Sequence, residues 1–203
     1  MKQKRIIAIS GLISSGKDTA AELLIKHHNF VKIAFADSLK DAVAAIFCWD
    51  RTLLDGGTTE SREWRECVDS WWAQRLDMPH LTPRWVLQNI GTEALRQHFH
   101  DDLWVASAER KIANTAHSVV ITDCRFPNEI AALKRIGGVT ARIYRGADPQ
   151  WLELARHDMG EFRRQYPGVH PSEYSSVNLD YDHYINNNGS IVDLHAQMRM
   201  LLR

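Results

Sequence analysis

The chain, 203 residues long, has no surplus of charge of either sign: 25 lysines and arginines stand against 25 aspartates and glutamates. A protein that lives on nucleic acid normally carries a basic face, so this balance argues against that role while leaving room for a local basic cleft. Cysteine is scarce. Cys48, Cys67 and Cys124 are an odd number without a C-x-x-C spacing, which excludes a disulfide framework or a zinc site and suits free thiols in a reducing compartment. No apolar stretch approaches the roughly 20 residues that cross a bilayer. The apolar run after the basic N-terminus is too short for a signal peptide, so a soluble, cytoplasmic protein is expected, with no membrane partner. Repeats and low-complexity tracts are lacking as well, which leaves one sizeable core with room for a small inserted lobe.

What the chain does have is Gly11-Leu-Ile-Ser14-Ser15-Gly16-Lys17-Asp18-Thr19. The apolar run Arg5-Ile-Ile-Ala-Ile-Ser10 precedes it and a helical pattern follows from Thr19. Strand, glycine loop and helix N-terminus in that order make an anion site. Backbone N–H groups point inward, the helix dipole favours negative charge, and a lysine reaches the outer phosphates. Gly11 and Gly16 permit the turn and let phosphate approach the backbone. Most such loops place Ser or Thr directly after the lysine to ligate Mg2+. Here Asp18 takes that place and the hydroxyl comes one later, at Thr19, as in adenylate-kinase-like enzymes. Asp18 either holds Mg2+ through water or stabilises the first helical turn as an anion near its positive end.

Apolar periodicity predicts strands over about 4–10, 30–36, 118–123, 139–144 and 181–186, and helices over about 17–28, 38–47, 83–98, 101–115 and 190–202. Thr82-Pro83 supplies a cap followed by proline at the first turn. Strands alternating with helices argue for an α/β fold with a mostly parallel sheet. Ligands sit at the carboxyl ends of strands in such sheets. Gly11, Asp37 and Asp123 all fall at expected strand ends. The apolar face of Leu194, Met198 and Leu201 reads as core, although a homodimer interface stays open.

Several side chains suit phosphate chemistry. Asp123 closes an apolar strand, where a Mg2+-organising carboxylate belongs. In Asp123-Cys-Arg125-Phe-Pro-Asn-Glu129, a proline corner aims Arg125 and Glu129 inward, and Arg125 can clamp a phosphate bidentately. An Arg125–Glu129 ion pair on the corner is the plainer reading. Lys40, one turn into a helix after Asp37, can reach an acceptor phosphate or simply face solvent. Arg62 and Arg65 lie among Trp64, Trp71 and Trp72, which suits a mononucleotide as well as the core of a small lobe. Gln88, Thr92 and Arg96 share a helix face that can read a base edge or face water. The basic segment 151–164 suits a mobile flap over a phosphate pocket or a plain surface helix. His98, His100, Asp101 and Asp102 lack the second cluster that a metal site needs.

Together these pieces resemble the deoxynucleoside monophosphate kinases of tailed bacteriophages. The likeness rests on Gly11 to Thr19, Phe35-Ala-Asp37-Ser-Leu-Lys40, Leu87-Gln88-x-x-Gly91-Thr92-Glu93, Trp104-Val105, Asp123-x-Arg125-Phe-Pro-Asn-Glu129, His170-Pro-Ser172-Glu173 and Asn186-Asn-Asn-Gly189-Ser190. It therefore spans nearly the whole chain, and matches least over 50–82 and 148–168. The resemblance implies a three-layer phosphate-loop core over about 1–48 and 101–203, with an inserted monophosphate-binding lobe over about 49–100 and a lid over about 148–172. It implies transfer of the γ-phosphate of ATP, with Mg2+, to a deoxynucleoside monophosphate in the cytoplasm of an infected bacterial host. Lys40, Arg62 or Arg65, and Asp123 to Glu129 would then face the acceptor, and Asn186 to Ser190 the adenine of ATP. Lys17 would bridge the β and γ oxygens, with Thr19 and Asp18 or Asp123 organising Mg2+ and Arg125 neutralising the moving phosphoryl group. Two rivals remain: a kinase of the dephospho-coenzyme-A type, and a non-catalytic ATP-binding module of a DNA-processing assembly.

Overall fold

The computed structural model describes residues 4–202; the extreme ends of the expected core, residues 1–3 and 203, lie outside the described residues. The first elements are β1 (Ile6–Ser10), α1 (Lys17–His28), β2 (Phe30–Lys32) and α2 (Asp37–Phe47), followed by a 3-10 turn at Leu53–Asp55. Then come α3 (Thr59–Glu66), α4 (Ser70–Leu76), α5 (Pro83–Gln88), a π-helical stretch at Asn89–Arg96, and α6 (Leu103–Asn114). The chain continues through β3 (Ser118–Ile121), α7 (Pro127–Arg135), β4 (Val139–Tyr144), α8 (Gln150–His157), α9 (Met159–Gln165), α10 (Pro171–Tyr174), β5 (His183–Asn186) and α11 (Ile191–Met200).

Two compact units result: Met1–Ala34 with Glu109–Arg203, and Phe35–Ala108. The first holds a five-stranded sheet of order β2-β3-β1-β4-β5, every described pair parallel. β1 is central and buried along its whole length, which is why it reads as a continuous apolar run. Ile7, Ile9, Ala141, Ile143 and Ile185 pack with α1 and α11 in one core cluster. Leu194, Met198 and Leu201 lie in that cluster, so this face of α11 is core. α7 packs on β1 and β4, and a methyl placed on Gly138 would meet both Ile6 Cγ2 and the Leu133 carbonyl. Alternate residues of β1 thus serve opposite layers of an α/β/α stack.

In the second unit α2 packs on α5 and on the 3-10 turn. That packing carries α2 into this unit, which begins at Phe35, ahead of the expected lobe start near 49. Phe47, Trp49, Trp64, Trp71 and Trp72 form a chain of stacked and edge-to-face rings. Two indole N–H groups are fixed in it, Trp49 Nε1 to Asp69 at 2.7 Å and Trp72 Nε1 to the Phe47 carbonyl at 3.0 Å.

Two local expectations change. β2 ends at Lys32, so Asp37 is the first residue of α2, where its carboxylate complements the helix dipole, and does not close a strand. The helix expected over 83–98 switches at Asn89 from α to π geometry. Residues four apart stay nearly aligned in either geometry, so Gln88, Thr92 and Arg96 keep close to one face of the stretch. Thr92 and Arg96 are buried and Gln88 half-buried.

Candidate active site

The glycine loop leaves the central strand at the point where the strand order reverses, the usual ligand crevice of such sheets. Its backbone needs glycine. Gly16 caps α1 at φ +96°, and a Cβ there would sit 2.2 Å from Asn187 Nδ2. At Gly11 a Cβ would lie 2.3 Å from the Ile143 carbonyl. Ser14 adopts a left-handed conformation at φ +64°, a strain that ordinary turns avoid. Ser15 Oγ is buried without a hydrogen-bond partner, an orphaned polar atom in a cradle shaped for an anion.

Lys17 folds back over the loop and donates to the carbonyls of Gly11 at 2.8 Å and Leu12 at 2.7 Å. Burial and then the positive charge of Arg125 lower its pKa from 10.5 to about 8, against the opposing pull of Asp18, Glu173 and Asp123. These charges therefore surround one point at the mouth of the loop. The Arg125 guanidinium binds Glu173 at 2.5 Å and the Ser172 carbonyl at 3.4 Å. The plainer corner pair with Glu129 does not form. The Glu129 carboxylate, 2 % exposed, instead accepts the backbone N–H groups of Arg125 and Phe126 at 2.7 and 3.1 Å. Glu129 is thus the brace of the corner that aims Arg125.

Asp18 accepts from Lys32 Nζ at 2.7 Å and from Thr122 Oγ1 at 3.2 Å. Desolvation opposes these bonds, but they hold its carboxyl below the usual carboxylate value. Thr19 is exposed in the first turn and Asp123 half-buried one residue past Thr122. Among the described residues no group of three or more His, Cys, Asp or Glu could hold a metal by itself. Mg2+ needs only one or two protein ligands beside substrate phosphates. Thr19 and Asp123 fit that demand, and Asp18, already held by Lys32, fits through water.

The loop after β5, within the span Asn186 to Ser190 expected on the adenine side, reaches the glycine loop through Asn187. Asn187 Nδ2 donates to the Ser15 carbonyl at 2.9 Å, and Asn187 N to the Tyr144 carbonyl at 2.9 Å. Asn186, named from sequence, is clipped to Gln197 through both backbone groups, and its side chain takes the Asn188 N–H. Gly189 lies against Asp193 of the α11 capping box. The segment 148–172 packs around Phe162, which meets Trp151 and Tyr166 within it and Tyr174 just beyond it. Arg156 and Arg164 pair within it with Glu153 and Glu161.

In the second unit the basic residues converge on the turn before α3. Lys40 binds Asp55 at 2.9 Å, Arg62 Nε the Gly56 carbonyl at 3.0 Å, and Arg65 the Leu54 carbonyl at 3.5 Å. The Arg65 guanidinium fills the space beside Gly56, 2.1 Å from where a Cβ would be. Sequence reasoning missed Arg51, which spans Asp41 at 2.6 Å, Asp55 at 2.7 Å and Asp37 at 3.3 Å. The signal for it was Asp37 and Asp41, one helical turn apart and in want of a cation. On the π-helical stretch, Gly91 has Leu39 where a side chain would go, and its carbonyl accepts from Trp104 Nε1 at 2.8 Å. Gln88 and Thr92 flank it.

A parallel sheet of this order, with a lysine-bearing glycine loop after its central strand, defines a phosphate-loop nucleotide-binding protein. The chain is 30 % identical over 208 residues to an Acanthamoeba polyphaga mimivirus protein named as a deoxynucleotide monophosphate kinase, covering 95 % of this chain and 93 % of that one. It is 48 % identical over 50 residues to the deoxynucleoside-5'-monophosphate kinase of Escherichia phage T5, covering 24 % and 20 % of the two chains. The crystal structure of TT1252 from Thermus thermophilus has the same fold, with a TM-score of 0.50 at 18 % identity, covering 99 % of this chain and 97 % of that one. No protein-family model matches. The chain belongs to the deoxynucleoside monophosphate kinase family of phosphate-loop kinases.

Proposed function

We propose that the chain transfers the γ-phosphate of ATP to a deoxynucleoside 5′-monophosphate, giving the diphosphate and ADP for DNA synthesis. The observation that carries this reading is the near-full-length likeness to the mimivirus kinase in a chain whose glycine loop keeps its lysine and its orphaned serine hydroxyl.

An oxygen of the acceptor's phosphate attacks the γ-phosphorus, the bond to the β-phosphate oxygen breaks, and ADP leaves with that electron pair. The acceptor is already an anion, so no strong general base is needed, and positioning with charge stabilisation does the work. Lys17 exchanges its two loop carbonyls for β and γ oxygens. Arg125 exchanges Glu173 for the moving phosphoryl group, and Glu129 holds the corner from which it does so. Mg2+ held by Thr19 and Asp123, with Asp18 through water, would neutralise phosphate charge when bound. Asn187 keeps the loop in shape, while Asn186 and Gly189 lie on the adenine side.

The unit Phe35–Ala108 takes the acceptor. Lys40, Arg62 and Arg65 supply phosphate donors around Leu54 to Gly56, Arg51 keeps Asp37, Asp41 and Asp55 compensated, and Gln88 and Thr92 face the base. The segment 148–172 acts as the lid. To test this, purified protein is incubated with Mg-ATP and each common deoxynucleoside or ribonucleoside monophosphate, with dephospho-coenzyme A as the rival acceptor. ADP formation with deoxynucleotides supports the reading. Turnover with dephospho-coenzyme A alone, or ATP binding without turnover on any acceptor, contradicts it.

A further inference from the structure

A cavity of about 490 Å³ lies over β4 and β5, lined among others by Arg142, Tyr144, Arg156 and Tyr184. Along β4, Ala141 and Ile143 belong to the core shared with α1 and α11. Arg142 and Tyr144 therefore point to the opposite face of the sheet. Tyr184 stands beside Arg142 in register. Asp148 and Arg156 of the lid segment line it as well, but none of the glycine-loop or Arg125-corner residues does.

Arg142 is 9 % exposed and makes no ion pair among the described residues; its guanidinium donates one hydrogen bond, from Nη1 to the Val177 carbonyl at 3.0 Å. Burying a cation without a counter-ion is costly. A cavity on the open side of that guanidinium lets a ligand anion supply the missing charge, with donors left for two phosphate oxygens. The acids nearby do not fill this role. Asp148 pairs with Arg156 at 3.7 Å, and Asp180 is exposed at the rim, where solvent screens it. The tyrosines are 40 % and 60 % exposed, flat apolar surface suited to a base. The volume falls in the range of small-ligand pockets.

We propose that this cavity is a second nucleotide site, taking a nucleoside phosphate with its phosphate on Arg142 and its base against Tyr144 and Tyr184. The rival occupant is the base of the ATP donor, since the Tyr144 carbonyl holds Asn187, which braces Ser15.

The test is tyrosine nitration by tetranitromethane, read peptide by peptide by mass spectrometry. Each common deoxynucleoside monophosphate, its nucleoside, inorganic phosphate and ATP are compared as protectants. At least one monophosphate slows modification of Tyr144 and Tyr184 severalfold, while its nucleoside and inorganic phosphate change it less than twofold. Arg142→Gln abolishes the protection with kcat preserved. Should that variant fail to fold, the surface variant Tyr184→Ala still weakens protection of Tyr144 severalfold. No protection by any monophosphate, or protection undiminished in both variants, overturns the proposal. Protection by inorganic phosphate alone makes the cavity an oxyanion cradle and overturns the nucleotide assignment. Protection by ATP alone, with a raised ATP KM in Arg142→Gln, makes it the donor's own base site and overturns a second site.

Discussion

At Lys17 the ammonium is held by loop carbonyls, and burial with the nearby Arg125 charge lowers its pKa to about 8. A lowered lysine pKa penalises the charged form, so below pH 8 the empty site costs folding stability, and the cost fades as pH rises from about 8 toward 10.5. Triphosphate oxygens reverse the sign by favouring the charged lysine. ATP affinity should therefore be flat below about pH 8 and weaken above it by roughly tenfold per pH unit at most. Isothermal titration across that range checks it, and a flat profile through pH 8 and beyond would contradict it. Glu173→Gln removes a charge that props up the Lys17 pKa and should move the break to lower pH. Arg125→Ala should lower kcat by roughly a thousandfold with a smaller rise in the ATP KM; an unchanged kcat in steady-state assays removes it from the transition state. Gly16→Ala meets both the left-handed φ and Asn187 Nδ2, so ATP binding should be lost while circular dichroism stays native. These loop residues were legible from sequence because their spacing is itself the geometry. The Asp18–Lys32 and Arg125–Glu173 pairs were not, since their partners lie 14 and 48 residues apart and meet only through the sheet.

Among the elements, strands β1 and β3 were readable because burial on both faces leaves apolar runs, and β4 because its apolar residues alternate with Thr140 and Arg142. β2 was overread. Ile33, Ala34 and Phe35 are buried like strand residues, yet the ladder of β2 ends at Lys32, with one further bond from Ile33 N to Val120 O at 3.1 Å. Burial alone cannot tell a strand from a buried turn. The π-helical stretch left no signal in the periodicity, because one residue is added within a run that is otherwise helical. Such insertions concentrate at functional sites, and here it places Gly91 against Leu39. Gly91→Ala puts a methyl 2.6 Å from Leu39 Cδ2. Overpacking there should cost about 1–3 kcal/mol, seen as a lower Tm, with the acceptor KM raised and the ATP KM unchanged. A raised ATP KM instead would contradict the assignment of this unit to the acceptor.

For the whole molecule, the balance of 25 charges of each sign conceals local concentrations of opposite purpose. Basic groups gather at the glycine loop in one unit and around Leu54 to Gly56 in the other. Net charge averages over both, so only motif spacing could reveal the first and only tertiary packing the second. The division at Phe35 was invisible to composition, because α2 reads as an ordinary amphipathic helix and its allegiance to α5 is a matter of packing. Ligands that bind the folded state stabilise it by mass action. Mg-ATP and an accepted deoxynucleotide should each raise Tm, the ATP shift vanishing in Lys17→Ala and the acceptor shift persisting. The most direct test of the account follows the label from γ-labelled ATP in the presence of each deoxynucleoside monophosphate. The account predicts label in the β-position of a deoxynucleoside diphosphate, with equimolar ADP, and none in Lys17→Ala. Label that stays on ATP, or appears only as free phosphate, would contradict it.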